Sequence, residues 1–382
     1  MNGVEKSEHD GPDKGSEIVA IDVFPARLPL RKPLVMSTYR LDDGPVIFVR
    51  IRSRDGAEGW GEAAASPIMG GETLAGMKAA IDEFVTPRLV GAFVEDRAAL
   101  MQYLRRSVFG NGGAFAAVDI ALLDLAGRQK GVPAVDLLGG PLRHSVEPLW
   151  LIGGSGVPEK DVETAVTLRR EGFRKFKLKV GVAPISEEVR AVRLLREALG
   201  EECLIGADAN MGWSTQQAIR FAREAAPFGL AFLEQPVAAG DLARMVTVAK
   251  ASPVPIGIDE SMHGASDILA HHALGGIGGA SLKTIKLGGI TPLVALGSSC
   301  HLLGLSVNLA MMMESSLASA AMIHAACALP QLDWGLSLGH LWLAKDSVGE
   351  PIACQQGVVR RPSGPGLGIE MDERRVRSLA PS

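Results

Sequence analysis

Between residues 176 and 283, short apolar runs end one after another on a charged side chain. They are Phe176-Lys177-Leu178-Lys179-Val180, the run from Leu204 to Asp208, the run closing on Glu234, the run closing on Asp259, and Ala280 to Lys283. Counted from Lys179, the steps to Asp208, Glu234, Asp259 and Lys283 are 29, 26, 25 and 24 residues. Each step is the length of one strand, one helix and two short loops. A strand–helix unit repeated at that period, with a polar group closing every strand, predicts a parallel barrel whose rim of strand ends builds a site. Three carboxylates flanked by lysines on one rim predict a divalent metal with an ammonium group on either side.

At 382 residues the chain is longer than one typical domain and predicts two. An apolar fraction of 47% against 21% charged leaves ample material for a core. The net charge of −4 gives no electrostatic reason to bind nucleic acid or an anionic membrane. The most apolar stretch, Thr291 to Leu329, is interrupted by His301, Asn308, Glu314 and His324, so no membrane span is expected. Cys203, Cys300, Cys327 and Cys354 lie far apart with no CxxC pair and read as free thiols in a reducing compartment. Residues 1–16 are polar, lack the apolar stretch of a leader and read as a disordered extension, which makes the expected setting cytoplasmic.

The organisation changes once along the chain. Ile18–Leu30 and Pro45–Ser53 are rich in Val, Ile and Phe, and Asp55-Gly56 is a hairpin signal. Leu74–Leu89, Val94–Ser107 and Ala114–Lys130 then show helical spacing, which makes residues 17–143 an α+β unit. Strand–helix alternation runs over 144–345, and the turn-rich residues 346–382 read as an arm returning to the first unit.

Side chains alternate along a strand, so Lys177 and Lys179 share one face and Phe176, Leu178 and Val180 the other. If the apolar face meets the helices, both ammonium groups point into the barrel. Burial of that kind is expected to lower a lysine pKa toward neutrality and make a general base. Asp208, Glu234 and Asp259 are oxygen-only donors, which suits a hard cation such as Mg2+ better than zinc. Asn210 and Glu260 are placed to orient those ligands. Lys283 stands across the carboxylates from Lys179, with Lys286 in support. A proton could then leave one face of a bound carbon and return to the other.

Taken together these motifs closely resemble the enolase superfamily, in its muconate-lactonizing subgroup. The resemblance is carried by Lys177-Leu178-Lys179, Asp208-Ala209-Asn210, Glu234-Gln235-Pro236, Asp259-Glu260, Lys283 with Gly288-Gly289, residues 118–140 and residues 362–368. Glu314 matches a glutamate common after the seventh strand. The resemblance implies a modified (β/α)7β TIM-like barrel with an N-terminal α+β capping domain. It implies Mg2+, with Mn2+ as a substitute, and a small-molecule carboxylate substrate. It also implies a homo-oligomer, dimer or octamer. Lys179 and Lys283 become the acid/base pair, and Lys177 tunes Lys179 or meets the substrate carboxylate. The mandelate-racemase branch would need a histidine after the seventh strand, where Leu309 to Met313 has none.

Specificity is expected from the loops Met36–Arg40 and Ser66–Glu72, with Tyr39 and Met69, and from Met311–Met313. Asp333-Trp334-Gly335 lacks the second aspartate of dipeptide epimerases, and Trp334 is expected near the pocket, able to meet a substituted ammonium. The reading is a racemase or epimerase of an N-substituted, cyclic or dipeptide amino-acid derivative. The alternatives are a cycloisomerase (muconate lactonization), a lyase-type reaction (o-succinylbenzoate synthesis or hydroxyproline dehydration), and a non-catalytic carboxylate-binding relative.

Overall fold

The computed structural model describes residues 13–153 and 157–381. Residues 13–16, assigned by sequence to an extension, are ordered: Lys14–Ser16 form a 3-10 turn and Ser16 is buried. Residues 1–12 of that expected extension lie outside the described residues.

Strands β1 (Ile18–Val35), β2 (Arg40–Ser53) and β3 (Glu58–Ala64) form an antiparallel sheet in that order. Helices α1 (Leu74–Ala80), α2 (Thr86–Leu89), α3 (Arg97–Ser107) and α4 (Gly112–Lys130) follow. The single helix expected over 74–89 is instead broken by a π segment, Ile81–Val85. Pro87 has no N–H to offer the Glu83 carbonyl, so the regular ladder cannot continue there. Helix α4 lies flat on β3 because β3 carries Gly59 and Gly61. A Cβ on Gly61 would sit 1.9 Å from the Ala117 carbonyl oxygen, so only glycine permits this approach.

A short strand β4 (Ser145–Val146) precedes eight parallel strands: β5 (Leu149–Gly153), β6 (Lys175–Lys179), β7 (Leu204–Asp208), β8 (Leu233–Glu234), β9 (Ile256–Ile258), β10 (Gly279–Leu282), β11 (Ser306–Leu309) and β12 (Gly335–Leu336). A parallel bridge from Pro148 to Leu336 brings β12 back to β5 and closes the ring. The helices between them are α5 (Pro158–Arg170), α6 (Ile185–Leu199), α7 (Thr215–Ala225), α8 (Leu242–Ala251), α9 (Ala265–Ala273), the short α10 (Thr284–Leu287) with α11 (Ile290–Leu302), and α12 (Ser316–Ala328). Seven crossovers and a bare eighth strand give the modified barrel that the motifs implied. Ser214 caps α7 by a reciprocal capping box with Gln217, which starts that helix one residue after the cap.

Strands β13 (Cys354–Gln355) and β14 (Val358–Arg360) form a hairpin in which β14 pairs with β4, and α13 (Glu373–Ser378) packs on β1. The Leu367 N–H donates to Asp124 Oδ1 of α4 at 2.7 Å, and Trp60 N–H donates to the other oxygen. Cys203, Cys300 and Cys327 are buried, Cys354 is half-buried, and all four are free. Among the described residues no helix is long and apolar enough to cross a membrane.

His324 of α12 joins three segments. Val135 N–H donates to its Nδ1 at 3.2 Å, so Nε2 carries the proton and donates to the Leu367 carbonyl at 3.2 Å. Burial pushes its pKa down to about 4 from 6.5. A depressed pKa means stability that is complete above pH 6.5 and is lost as pH falls through 4, on the order of 3 kcal/mol in all. Thermal unfolding across that interval should show a fall in midpoint for the wild type and a flatter profile for His324→Gln. Equal slopes for the two proteins would contradict this assignment.

Candidate active site

Strand register sets the site. Lys179 of β6 is level with Asp208 of β7, and Asp208 is level with Glu234 of β8. Asp259 and Lys283 follow directly on the last residues of β9 and β10. Strands β6 and β10 are separated by β7, β8 and β9, so in a ring of eight they face each other. Lys179 and Lys283 thus stand across the barrel mouth with the three carboxylates on the arc between them.

Lys179 Nζ donates to Asp208 Oδ2 at 2.6 Å and to Asn210 Oδ1 at 2.9 Å. Lys177, one layer deeper, reaches up to Glu234 Oε2 at 2.7 Å. Lys283 Nζ contacts Asp259 Oδ2 and lies 3.8 Å from Met69 Sδ. Lys286 does not turn away. It curls back beneath Lys283 and donates to Asp259 Oδ1 at 2.6 Å and to the Ser281 carbonyl at 3.0 Å. Asn210 donates from Nδ2 to Glu260 Oε1 at 3.0 Å, which ties the ends of β7 and β9 together.

The electrostatics correct one expectation. Burial alone would lower Lys177 and Lys283, but opposite charges a hydrogen bond away outweigh it. Lys177 is raised by Glu234 and Asp208, and Lys283 is pushed up to about 12, chiefly by Asp259. Lys286, where burial and the neighbouring Lys283 act together, is lowered. The carboxylates split as well. Burial would raise all of them, but the lysines hold Asp208 and Asp259 below the usual range. Burial prevails at Glu234, which is raised, and at Glu260, where Asp259 and Asp208 add to it and the pKa reaches about 7.

Four ammonium groups (Lys177, Lys179, Lys283, Lys286) and four carboxyl groups (Asp208, Glu234, Asp259, Glu260) are buried in this one volume. Each of the three carboxylates on the arc is engaged by a lysine, and among the described residues no three acidic, His or Cys side chains converge as a ready cage. Two carboxylate oxygens of the site are nevertheless orphaned: Glu234 Oε1 and Glu260 Oε2 are buried without a hydrogen-bond partner. Buried carboxylate oxygens without donors are costly unless a cation or water meets them. The donor set is all oxygen, so a hard divalent cation fits.

Two expected specificity groups are in place and one is not. Tyr39 and Met69 line the cavity above the carboxylates, as do Met311, Met312 and Met313. Loop 36–40 is held there by Ser37 Oγ, which donates to the Ala209 carbonyl at 2.7 Å. Loop 66–72 is held by His263 Nε2, which donates to the Met69 carbonyl at 2.8 Å. Trp334 is at the opposite end of the barrel. It precedes β12 rather than ending it, so its ring is on the floor, stacked on Phe232 with centroids 4.4 Å apart. A Cβ on Gly279 would lie 2.5 Å from that ring, and the floor is built around the indole. The eighth-strand residue that reaches the cavity is Ser337, and Asp333 is exposed below it.

Glu314 meets no lysine directly. Its carboxylate accepts from Ala64 N–H of β3 at 3.0 Å and from Met312 N–H at 3.1 Å, and burial raises its pKa to about 7. Glu62 of β3 answers it by accepting from Ser315 N–H at 2.7 Å and Ala318 N–H at 3.1 Å at the start of α12. The two glutamates lock the capping sheet to the methionine wall.

Three residues of the site were not singled out by sequence. Gln235 Oε1 accepts from Asp259 N–H and Ser261 N–H, both at 3.0 Å, and so fixes the end of β9. Asn308 donates to Ser281 Oγ at 2.9 Å and leans on Glu234 Oε2 at 3.4 Å. Ser337 is the third. The signal available for Gln235 was its place inside the Glu234-Gln235-Pro236 motif.

Residues 18–139 match the family described as mandelate racemase / muconate lactonizing enzyme, N-terminal domain, and residues 160–375 match enolase C-terminal domain-like. Muconate cycloisomerase 1 of Pseudomonas putida is 31% identical over 92% of this chain and 94% of its own. An N-succinyl-L-Arg/Lys racemase of Bacillus cereus is 29% identical over 95% of this chain and 98% of its own. Among solved structures, the muconate lactonizing enzyme of Pseudomonas fluorescens complexed with muconolactone superposes with a TM-score of 0.91 at 30% identity, covering 96% of this chain and 99% of the other. The Bacillus cereus racemase structure superposes with a TM-score of 0.90 at 28% identity, covering 95% and 98%.

Proposed function

The chain belongs to the enolase superfamily, in the mandelate racemase / muconate lactonizing enzyme family, and from that premise we propose that it inverts the carbon α to the carboxylate of an amino-acid derivative. The observation that carries this reading is the placement of Lys179 and Lys283 on opposite sides of the barrel mouth. A carbon held between them presents one face to each ammonium.

Asp208, Glu234 and Asp259 would hold Mg2+, with Mn2+ as a substitute. Such an ion, when bound, would offset negative charge growing on the substrate carboxylate. The rest of the work falls to the chain. With those carboxylates committed to the cation, Lys179 would be free to face the substrate. Lys179, as the amine, would accept the proton from the α-carbon. Lys283, held protonated until then, returns a proton to the opposite face, and the reverse substrate exchanges the two roles. Lys177, deeper and paired with Glu234, keeps a positive charge beneath the developing anion. Asn210, Gln235 and Glu260 keep the strand ends in register while charges move. The reading includes a cytoplasmic homo-oligomer acting on a small carboxylate.

A second reading has its own support, because relatives at 31% and 30% identity carry the name muconate cycloisomerase. The same lysines would then move a proton at a carbon α to a carboxylate during ring closure. Incubation with Mg2+ separates the two. Loss of optical purity in N-acyl amino acids, with no consumption of cis,cis-muconate, is the expected result. Lactone formation from muconate without racemisation would replace the first reading with the second.

A further inference from the structure

The central cavity, bounded by the lysines and carboxylates below and by Tyr39 and the methionines above, holds only about 30 Å3. An amino-acid derivative larger than its reacting carbon must therefore extend beyond it. A second cavity of about 180 Å3 adjoins it and shares Tyr39, Leu41, Met312 and Met313 as common walls. Its far side is made by the loop 66–72, with Ser66 inside and Ile68 at the lip, 43% exposed.

Resting on the proposed function above, we infer that this annex receives the side chain of the substrate and selects a neutral, largely apolar one. Three observations converge. Apart from Arg40, Ser66 and the Tyr39 ring, the walls are aliphatic and thioether groups, which reward apolar area removed from water. Ser66 Oγ is buried, only 4% of the residue being exposed, and has no hydrogen-bond partner, so it can serve one polar atom of a ligand. No carboxylate lines the annex, and its only charged group is Arg40, which is already paired with Asp42 at 2.8 Å. An ammonium or guanidinium side chain placed there would be buried without a partner and beside a like charge, which is costly. The selection is thus the reverse of what the name of the Bacillus cereus relative, an Arg/Lys racemase, describes for that protein.

A wider cleft also meets Lys179; it is lined by Trp150, Leu151, Ile152 and Trp342 as well as by Arg31 and Glu163, so unlike the annex it offers charged partners beside its apolar walls.

The test uses the full-length protein with Mg2+, reading calorimetric binding and α-proton exchange in parallel on the N-succinyl derivatives of alanine, leucine and lysine. The leucine derivative is expected to bind at least about tenfold more tightly than the lysine derivative. Ile68→Trp, which fills the annex from its lip, is expected to weaken the leucine derivative at least about tenfold and leave the alanine derivative unchanged. Equal binding of leucine and lysine derivatives would overturn the annex, and so would an Ile68→Trp variant that weakens alanine and leucine alike. Selective binding of the leucine derivative without α-proton exchange would uphold the annex and overturn the proton-transfer reading. Binding of none of the three would overturn both.

Discussion

Lys179→Ala and Lys283→Ala should each lower racemisation by at least about a thousandfold while leaving Mg2+ affinity within a few-fold of wild type. The two lysines serve opposite faces of one carbon, so the variants should fail in different ways. With Lys179 gone, Lys283 can still exchange the α-proton of the enantiomer that presents its proton to that side. With Lys283 gone, only the other enantiomer should exchange. Exchange of each enantiomer with solvent deuterium, followed separately for both variants, reads this directly. Loss of both exchanges in one variant and of neither in the other would place the whole proton transfer on a single lysine. The remaining lysine would then act through charge alone. Folding is a separate question, since each substitution removes one cationic partner from a buried carboxylate: Asp208, left with Lys177 at 3.9 Å, in one case, and Asp259 in the other. Asp259 keeps Lys286 at 2.6 Å, so Lys283→Ala should be the milder lesion on stability.

The second large effect concerns the metal. Glu234→Gln and Asp208→Asn should each weaken Mg2+ binding by at least about 100-fold, read by calorimetry. The four ammonium groups and four carboxyl groups of the site balance one another, and removing one carboxylate leaves an excess of positive charge where a cation must enter. Glu234 has a further reason to matter, because its Oε1 is the orphaned oxygen closest to the centre of the arc. Trp334→Phe, a change on the barrel floor, should leave Mg2+ affinity unaltered. Undiminished Mg2+ binding in both carboxylate variants would remove these residues from the metal site.

Much of this site was legible in the chain because barrel geometry converts sequence period into position. A polar residue at the end of each strand, at steps of 24 to 29 residues, has to reach the same rim, and Lys179, Asp208, Glu234, Asp259 and Lys283 do. Alternation along β6 likewise placed Lys177 inward. What the period could not supply was the pairing. Lysine pKa values were expected to fall with burial, but at Lys177 and Lys283 the sign was decided by carboxylates of other strands that sit a single hydrogen bond away. Lys286 follows β10 inside a short helical turn, where strand alternation no longer says which way a side chain points.

Trp334 shows the same limit at the other end of the barrel. It was placed near the pocket by matching Asp333-Trp334-Gly335 to an eighth-strand motif, but the strand begins one residue later, so the indole belongs to the floor and Ser337 to the rim. The contact between Glu314 and Ala64 spans 250 residues and depends on how the capping sheet settles on the barrel, for which no local pattern exists. Pro87 was the one visible sign that the helix over 74–89 would not be regular.

The central claim is proton transfer at the carbon α to a carboxylate. Proton NMR of the wild-type protein with Mg2+ and an N-acyl amino acid in D2O tests it most directly. The account predicts that the α-proton signal disappears as deuterium enters and that the opposite enantiomer accumulates with the label. An α-proton that persists in every N-acyl amino acid offered, in a protein shown to bind both Mg2+ and the ligand, would contradict it.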